Sequence, residues 1–75
     1  MINKDLGRTV KSARKAQEIT QMELHDLSGI SVSVIHKIEN GREDLSLSSV
    51  MAVLDALGFR VICKSPLGEE IELSG

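Results

Sequence analysis

Residues 21–40 read QMELHDLSGISVSVIHKIEN, and this stretch decides the fold. Thr20 to Glu23 form a capping box, in which the threonine hydroxyl meets a free backbone N–H and the glutamate reaches back. The pattern predicts a helix near Gln21–Leu27 that stops at Ser28-Gly29, where glycine tolerates a left-handed turn. Ser31 then caps a second helix that continues to about Asn40, with Gly41 as the next stop. Ile30, Val34, Ile35 and Ile38 recur in a helical rhythm through this second segment. Short hydroxyls, a further valine, a histidine and a lysine fill the gaps. Two short helices joined by a tight glycine-containing turn make a helix-turn-helix candidate. The close crossing demands a turn glycine and buried aliphatics on both sides, places taken by Leu24, Gly29, Ile30, Ile35 and Ile38. The outer face is neither greasy nor plainly charged, as suits a surface read against a partner.

Upstream, Ile2, Leu6, Val10 and Ala13 share one face of a helix over about Asn3–Gln17, and Lys4, Arg8, Lys11 and Lys15 line another. A basic stripe of this kind fits an anionic partner or an ordinary solvated face. Downstream of the polar loop Arg42–Leu45, Ser46 caps a helix over Leu47–Leu57, closed by Gly58, with Val50, Met51, Leu54 and Leu57 as its buried side. From Phe59 the period becomes two: Phe59, Val61 and Cys63 alternate with Arg60, Ile62 and Lys64. Ser65-Pro66-Leu67-Gly68 is a turn signal, and Glu70-Ile71-Glu72-Leu73 alternates again. The reading is a mainly α fold of four helices with a short C-terminal β-strand or hairpin. Residues 1–58 form the helix-turn-helix domain and residues 59–75 a C-terminal extension.

Seventy-five residues allow one small core, near the lower limit for folding without staples. With Phe59 the sole aromatic, that core is aliphatic. One cysteine excludes an intramolecular disulfide, and no Cys/His cluster has zinc spacing. No apolar run approaches the roughly 20 residues of a membrane span and no signal peptide is visible over residues 1–15, so a cytoplasmic, soluble protein is expected. Net charge is −2, yet its distribution is uneven. Residues 1–42 carry seven Lys and Arg against five Asp and Glu, and residues 43–75 carry two against six. Positive potential thus falls on the N-terminal part and an acidic surface on the tail. Ser, His and Asp occur without a nucleophile–base arrangement, phosphate loop or paired carboxylates, so no enzyme, cofactor or metal is expected.

The stretch ITQMELHDLSGISVSVIHKIENGREDLSLSSVMAVLDALG, with ARKAQEIT before it, resembles the lambda-repressor-like (Xre-type) DNA-binding domains over about residues 5–58. Gln21, Leu24, Gly29, Ile35, Glu39-Asn40-Gly41 and Leu57-Gly58 match together. The resemblance implies a lambda-repressor-like fold that binds double-stranded DNA, with the second helix of the motif in the major groove. It implies Ser31, Val32, Ser33, His36 and Lys37 as readers of the duplex. Ser33 would donate or accept and Val32 would pack on a thymine methyl. It implies phosphate contacts from Gln21 at a helix start and from Asn40 and Arg42 in the following loop. It further implies a partly buried ion pair between Arg14 and Glu39, locking the first helix to the third.

Each reader has a plainer alternative: Ser31 as an N-cap alone, Val32 as core, His36 as an ordinary exposed histidine. His25 departs from the family pattern, which has a small residue at the helix crossing, so its ring must tilt outward or push the helices apart. In the tail, pairing of strands across a two-fold axis would cover an edge and suit two half-sites, making Phe59, Val61 and Cys63 candidate dimerisation residues and the protein a homodimer. Cys63 is expected to be a small buried hydrophobe there. LDALGFRVICKS also resembles the helix-to-strand segment of HipB-like antitoxins, which implies a HipA-type kinase toxin as partner and autoregulation of the operon. The rival reading is a protein-interaction module that neutralises a toxin without specific DNA binding.

Overall fold

The computed structural model describes residues 2–73, of Ile2 the backbone alone. Four helices, α1 (Ile2–Ala16), α2 (Gln21–Ser28), α3 (Val32–Glu39) and α4 (Leu47–Ala56), precede two strands, β1 (Val61–Lys64) and β2 (Glu70–Leu73). The three caps named above are all made. Thr20 and Glu23 make both bonds of the capping box, and Ser31 and Ser46 accept from Val34 N and Ser49 N.

Three of the four helix ends share one device. After α3 and α4, Gly41 and Gly58 turn left-handed. Arg42 N then bonds Lys37 O, and Phe59 N bonds Leu54 O. These are Schellman stops, in which a backbone N–H beyond the helix satisfies a carbonyl of its last turn. The end of α1 makes the same stop without glycine: Glu18 sits at φ 58 and Ile19 N bonds Arg14 O at 3.2 Å. A Cβ in that conformation is strained by about 1–2 kcal/mol, so the helix stops where tertiary contacts require.

Val10, Leu24, Ile35, Ile38, Val53 and Leu57 form one buried cluster at the meeting of all four helices. Leu6, Ala13, Ile30, Val34, Val50 and Leu54 pack around it. Ile2, read above onto the same face of α1, has a side chain outside the described residues. Val53 is fully buried although the periodicity assigned the inner side of α4 to its neighbours. The reason is that α4 contacts α2, α3 and β1, and so buries a wider stripe than a helix with one partner. Gly7 marks a close approach between α1 and the end of α3. A Cβ added there would lie 2.6 Å from Ile38 O and 2.8 Å from Glu39 O. Glycine in mid-helix lets α1 lie directly on the end of α3.

The tail strands pair with each other within the chain, antiparallel, Val61 opposite Leu73 and Cys63 opposite Ile71. Pro66 and Leu67 make the turn, Gly68 N bonds Ser65 O, and Gly68 is left-handed, the geometry of a hairpin with a glycine bulge. Strand β1 begins two residues later than the alternation suggests, because Phe59 completes the helix stop. Val61 and Leu73 are half-buried against the body, whereas Cys63 is exposed. The expectation of a buried thiol is therefore overturned: the hairpin reaches beyond α4, and none of the described residues covers its far end.

Candidate nucleic-acid interface

The capping box launches α2 so that Leu24 points into the core. Gly29, at φ 75, reverses the chain and returns its N–H to His25 O. Ser28 Oγ accepts from Ile30 N at 3.1 Å, and Ser31 Oγ caps α3. Ile35 and Ile38 then pull α3 onto the core, both essentially inaccessible to solvent. What remains outward is a rim of Ser31, Ser33 and His36, all exposed, flanked by Val32 and Lys37, both half-buried. Ser31 and Ser33 lie side by side, their hydroxyls 3.2 Å apart, so the cap hydroxyl also belongs to this surface.

His25 does not swing into solvent but is half-buried in the motif. Its ring lies over the turn, with Nδ1 2.9 Å from Ile30 O. Since a carbonyl only accepts, that nitrogen carries the hydrogen. A small residue at this crossing offers contact alone, while histidine adds a clasp across the turn.

Glu39 is the hub beneath the rim. Arg14 grips it with both prongs, Nε to Oε2 at 2.7 Å and Nη2 to Oε1 at 3.0 Å. Arg14 also donates to Ile19 O, and Gln21 donates to Glu39 Oε1 at 3.2 Å. One buried carboxylate thereby ties α1, α2 and α3 together. Burial pushes its carboxyl up, but the hydrogen bonds from Arg14 and Gln21, with the charges of Arg14 and Lys11, outweigh this and hold it below its ordinary 4.5. The hydrogen bond to Glu39 likewise raises Arg14. Gln21, assigned by resemblance to a phosphate, is here a brace on the inner side of the motif.

The loop after α3 carries the other assigned residues. Asn40 Nδ2 donates to His36 O at 2.7 Å and so closes α3. Arg42 is exposed, and Asn3 Nδ2 donates to its carbonyl, anchoring the loop to the start of α1. Asp44 stands between two of the assigned cations, 3.4 Å from Lys37 Nζ and 3.4 Å from Arg42 Nε. A hydrogen bond from its own backbone, then the fields of Arg42 and Lys37, hold its carboxyl below the ordinary range. Sequence reading missed Asp44 because a loop aspartate carries no periodic signal. Gly7 had a signal, an isolated glycine in a helical pattern, which marks a close backbone approach. Lys4, Arg8, Lys11 and Lys15 of α1 are all exposed. Phe59, Val61 and Cys63 lie not at this rim but in and beside the hairpin. Among the described residues no group of His, Cys, Asp and Glu converges to hold a metal, and no helix is long and apolar enough to cross a membrane.

Comparison with known proteins matches residues 5–61 to the helix-turn-helix domain family. The immunity repressor protein of Bacillus phage phi105 is 37% identical over 65 residues, which span 87% of this chain and 44% of that protein. An uncharacterised HTH-type transcriptional regulator, y4mF, of Sinorhizobium fredii is 31% identical over 62 residues, 83% of this chain and 82% of that one. Among solved structures, the restriction-modification controller protein C.AhdI from Aeromonas hydrophila superimposes with a TM-score of 0.67 at 27% identity, covering 75% of this chain and 85% of that chain.

Proposed function

The chain belongs to the Xre-type helix-turn-helix family, and on that premise we propose that it is a cytoplasmic transcriptional repressor that binds a specific duplex DNA operator. The observation that carries this reading is the two-sided character of α3. Its inner residues, Ile35 and Ile38, are sealed in the core while Ser31, Ser33 and His36 project from a helix held by caps at both ends. Small hydroxyls at the start of such a helix allow its backbone to approach base edges in the major groove, where each base pair offers a distinct donor and acceptor pattern. Lys37, Asn40 and Arg42 follow in the direction of the flanking backbone, where cations supply affinity and register.

Repressors of this kind act on paired half-sites, and the exposed apolar end of the hairpin supports a homodimer with Cys63 near its seam, Phe59 and Val61 closer to the body. Half-sites would then lie roughly 34–36 Å apart, one helical turn. The antitoxin reading, with a HipA-type kinase as partner, rests only on the LDALGFRVICKS segment. Co-purification of the chain with the product of the adjacent reading frame tests it.

A mobility-shift titration with duplex from upstream of the protein's own reading frame tests the main reading. Retardation that survives excess scrambled duplex, weakens steeply with salt and is lost in Ser33→Ala/Lys37→Ala is expected. Equal retardation of both duplexes, or none, favours the protein-interaction module.

A further inference from the structure

Two ion pairs flank α3, and they are built differently. Arg14–Glu39 is buried, forked and as short as 2.7 Å, within the range of a strong charge-assisted bond. Asp44, by contrast, meets both Lys37 and Arg42 at 3.4 Å, with about half of its side chain in water. Bonds that long and wet contribute little to stability and open readily. The geometry of the second pair is that of an anion held loosely between two cations at the edge of the recognition rim. A phosphate oxygen of a docked duplex would seek the same place.

We propose that Asp44 is a specificity-determining residue of the DNA-binding face, an internal anion that occupies Lys37 and Arg42 until a correctly docked duplex displaces it. The inference rests on the DNA-binding reading above. Binding of non-cognate DNA is almost wholly a matter of cations meeting phosphates. Two engaged cations and one repelling carboxylate therefore weaken it disproportionately. A cognate site adds base contacts along Ser31 to His36, which Asp44 does not touch, and so supplies what is needed to exchange carboxylate for phosphate. The exchange needs no change of fold, only rotation of exposed side chains. Glu43 provides the contrast: it is equally exposed and adjacent, but it lines a shallow cavity with Asn3, Leu6 and Leu45 and not the edge of α3.

The test compares wild type, Asp44→Asn, Asp44→Glu and Glu43→Gln in fluorescence anisotropy, with the upstream duplex and a scrambled duplex across a salt series. Melting temperature serves as the check on folding. Asp44→Asn is expected to bind the scrambled duplex roughly three- to tenfold more tightly and the upstream duplex by a smaller factor, so the ratio between them falls. The slope of log affinity against log salt should steepen by about one. Asp44→Glu restores the wild-type ratio, and Glu43→Gln leaves it within about twofold. Asp44→Asn matching wild type on both duplexes, or Glu43→Gln reproducing its effect, overturns the inference while leaving the regulator reading intact. Wild type that does not distinguish the duplexes overturns both.

Discussion

Residues 2–57 bring Val10, Leu24, Ile35 and Val53 to zero exposure, while within residues 58–73 Ile62, Leu67 and Ile71 stand more than half in water. Both regions obey their local rules: capped helices on one side, a paired hairpin with a proline–glycine turn on the other. They differ in what lies opposite. Each helix of the body faces at least one other helix across the core, whereas the hairpin rests only its base, Val61 and Leu73, near α4. A two-stranded hairpin is marginal by itself. Its apolar side is therefore surface in the single chain, and the body alone holds the outer rim of α3 in place.

The sharpest way to break this contrast is through the hub. Arg14→Ala leaves Glu39 buried with only Gln21 as partner, and is expected to cost about 3–5 kcal/mol in urea unfolding. Acidification should act on the same bond. Because the folded carboxyl of Glu39 sits below its ordinary 4.5, its contribution is complete above that value and is lost as pH falls through the lower, folded one. Wild type should lose stability below about pH 4.5 more steeply than Arg14→Ala does. An unchanged midpoint in the variant at pH 7 would dissolve the hub.

Gly7→Ala comes next. Its Cβ meets backbone carbonyls that cannot rotate away, so a loss of about 2 kcal/mol is expected despite alanine's better helix propensity. A gain in stability would mean that α1 and α3 can separate freely. Glu18→Gly should move the other way, by roughly 0.5–1 kcal/mol, as left-handed strain is released and part of it returned as chain entropy. A loss would show that the Glu18 side chain has work beyond the turn.

The smallest effect is expected in the hairpin. Ile71→Ser should leave monomer unfolding within about 0.5 kcal/mol, as for an ordinary surface change, while weakening self-association in sedimentation. In dilute wild type, Cys63 should react with a thiol reagent nearly as fast as in urea, and more slowly at concentrations that favour the proposed dimer. A monomer destabilised by more than about 1 kcal/mol in Ile71→Ser would make the hairpin part of the body's cooperative unit, and the distinction between the regions would fail.

These expectations follow the line between what could be read from residues in order and what could not. Thr20, Ser31 and Ser46 announced three helix starts, and Gly29, Gly41 and Gly58 three stops, because caps and left-handed turns are satisfied by neighbours in the chain. The Arg14–Glu39 pairing was legible only through family resemblance, since no local rule links residues 25 apart. The positions of Ser31, Ser33 and His36 on the exposed face of α3 followed from helical period alone.

The sequence by itself determined four helices, the turn of the motif and the two-residue period of the tail, because hydrogen bonding within a few residues and the alternation of apolar side chains are local physics. Only the tertiary structure decided that α1 stops at a strained glutamate, that Val53 is core and Cys63 is not, and that Asp44 lies between Lys37 and Arg42. Each of those depends on which surface comes to lie opposite, and burial and charge pairing take their sign from the neighbour across space.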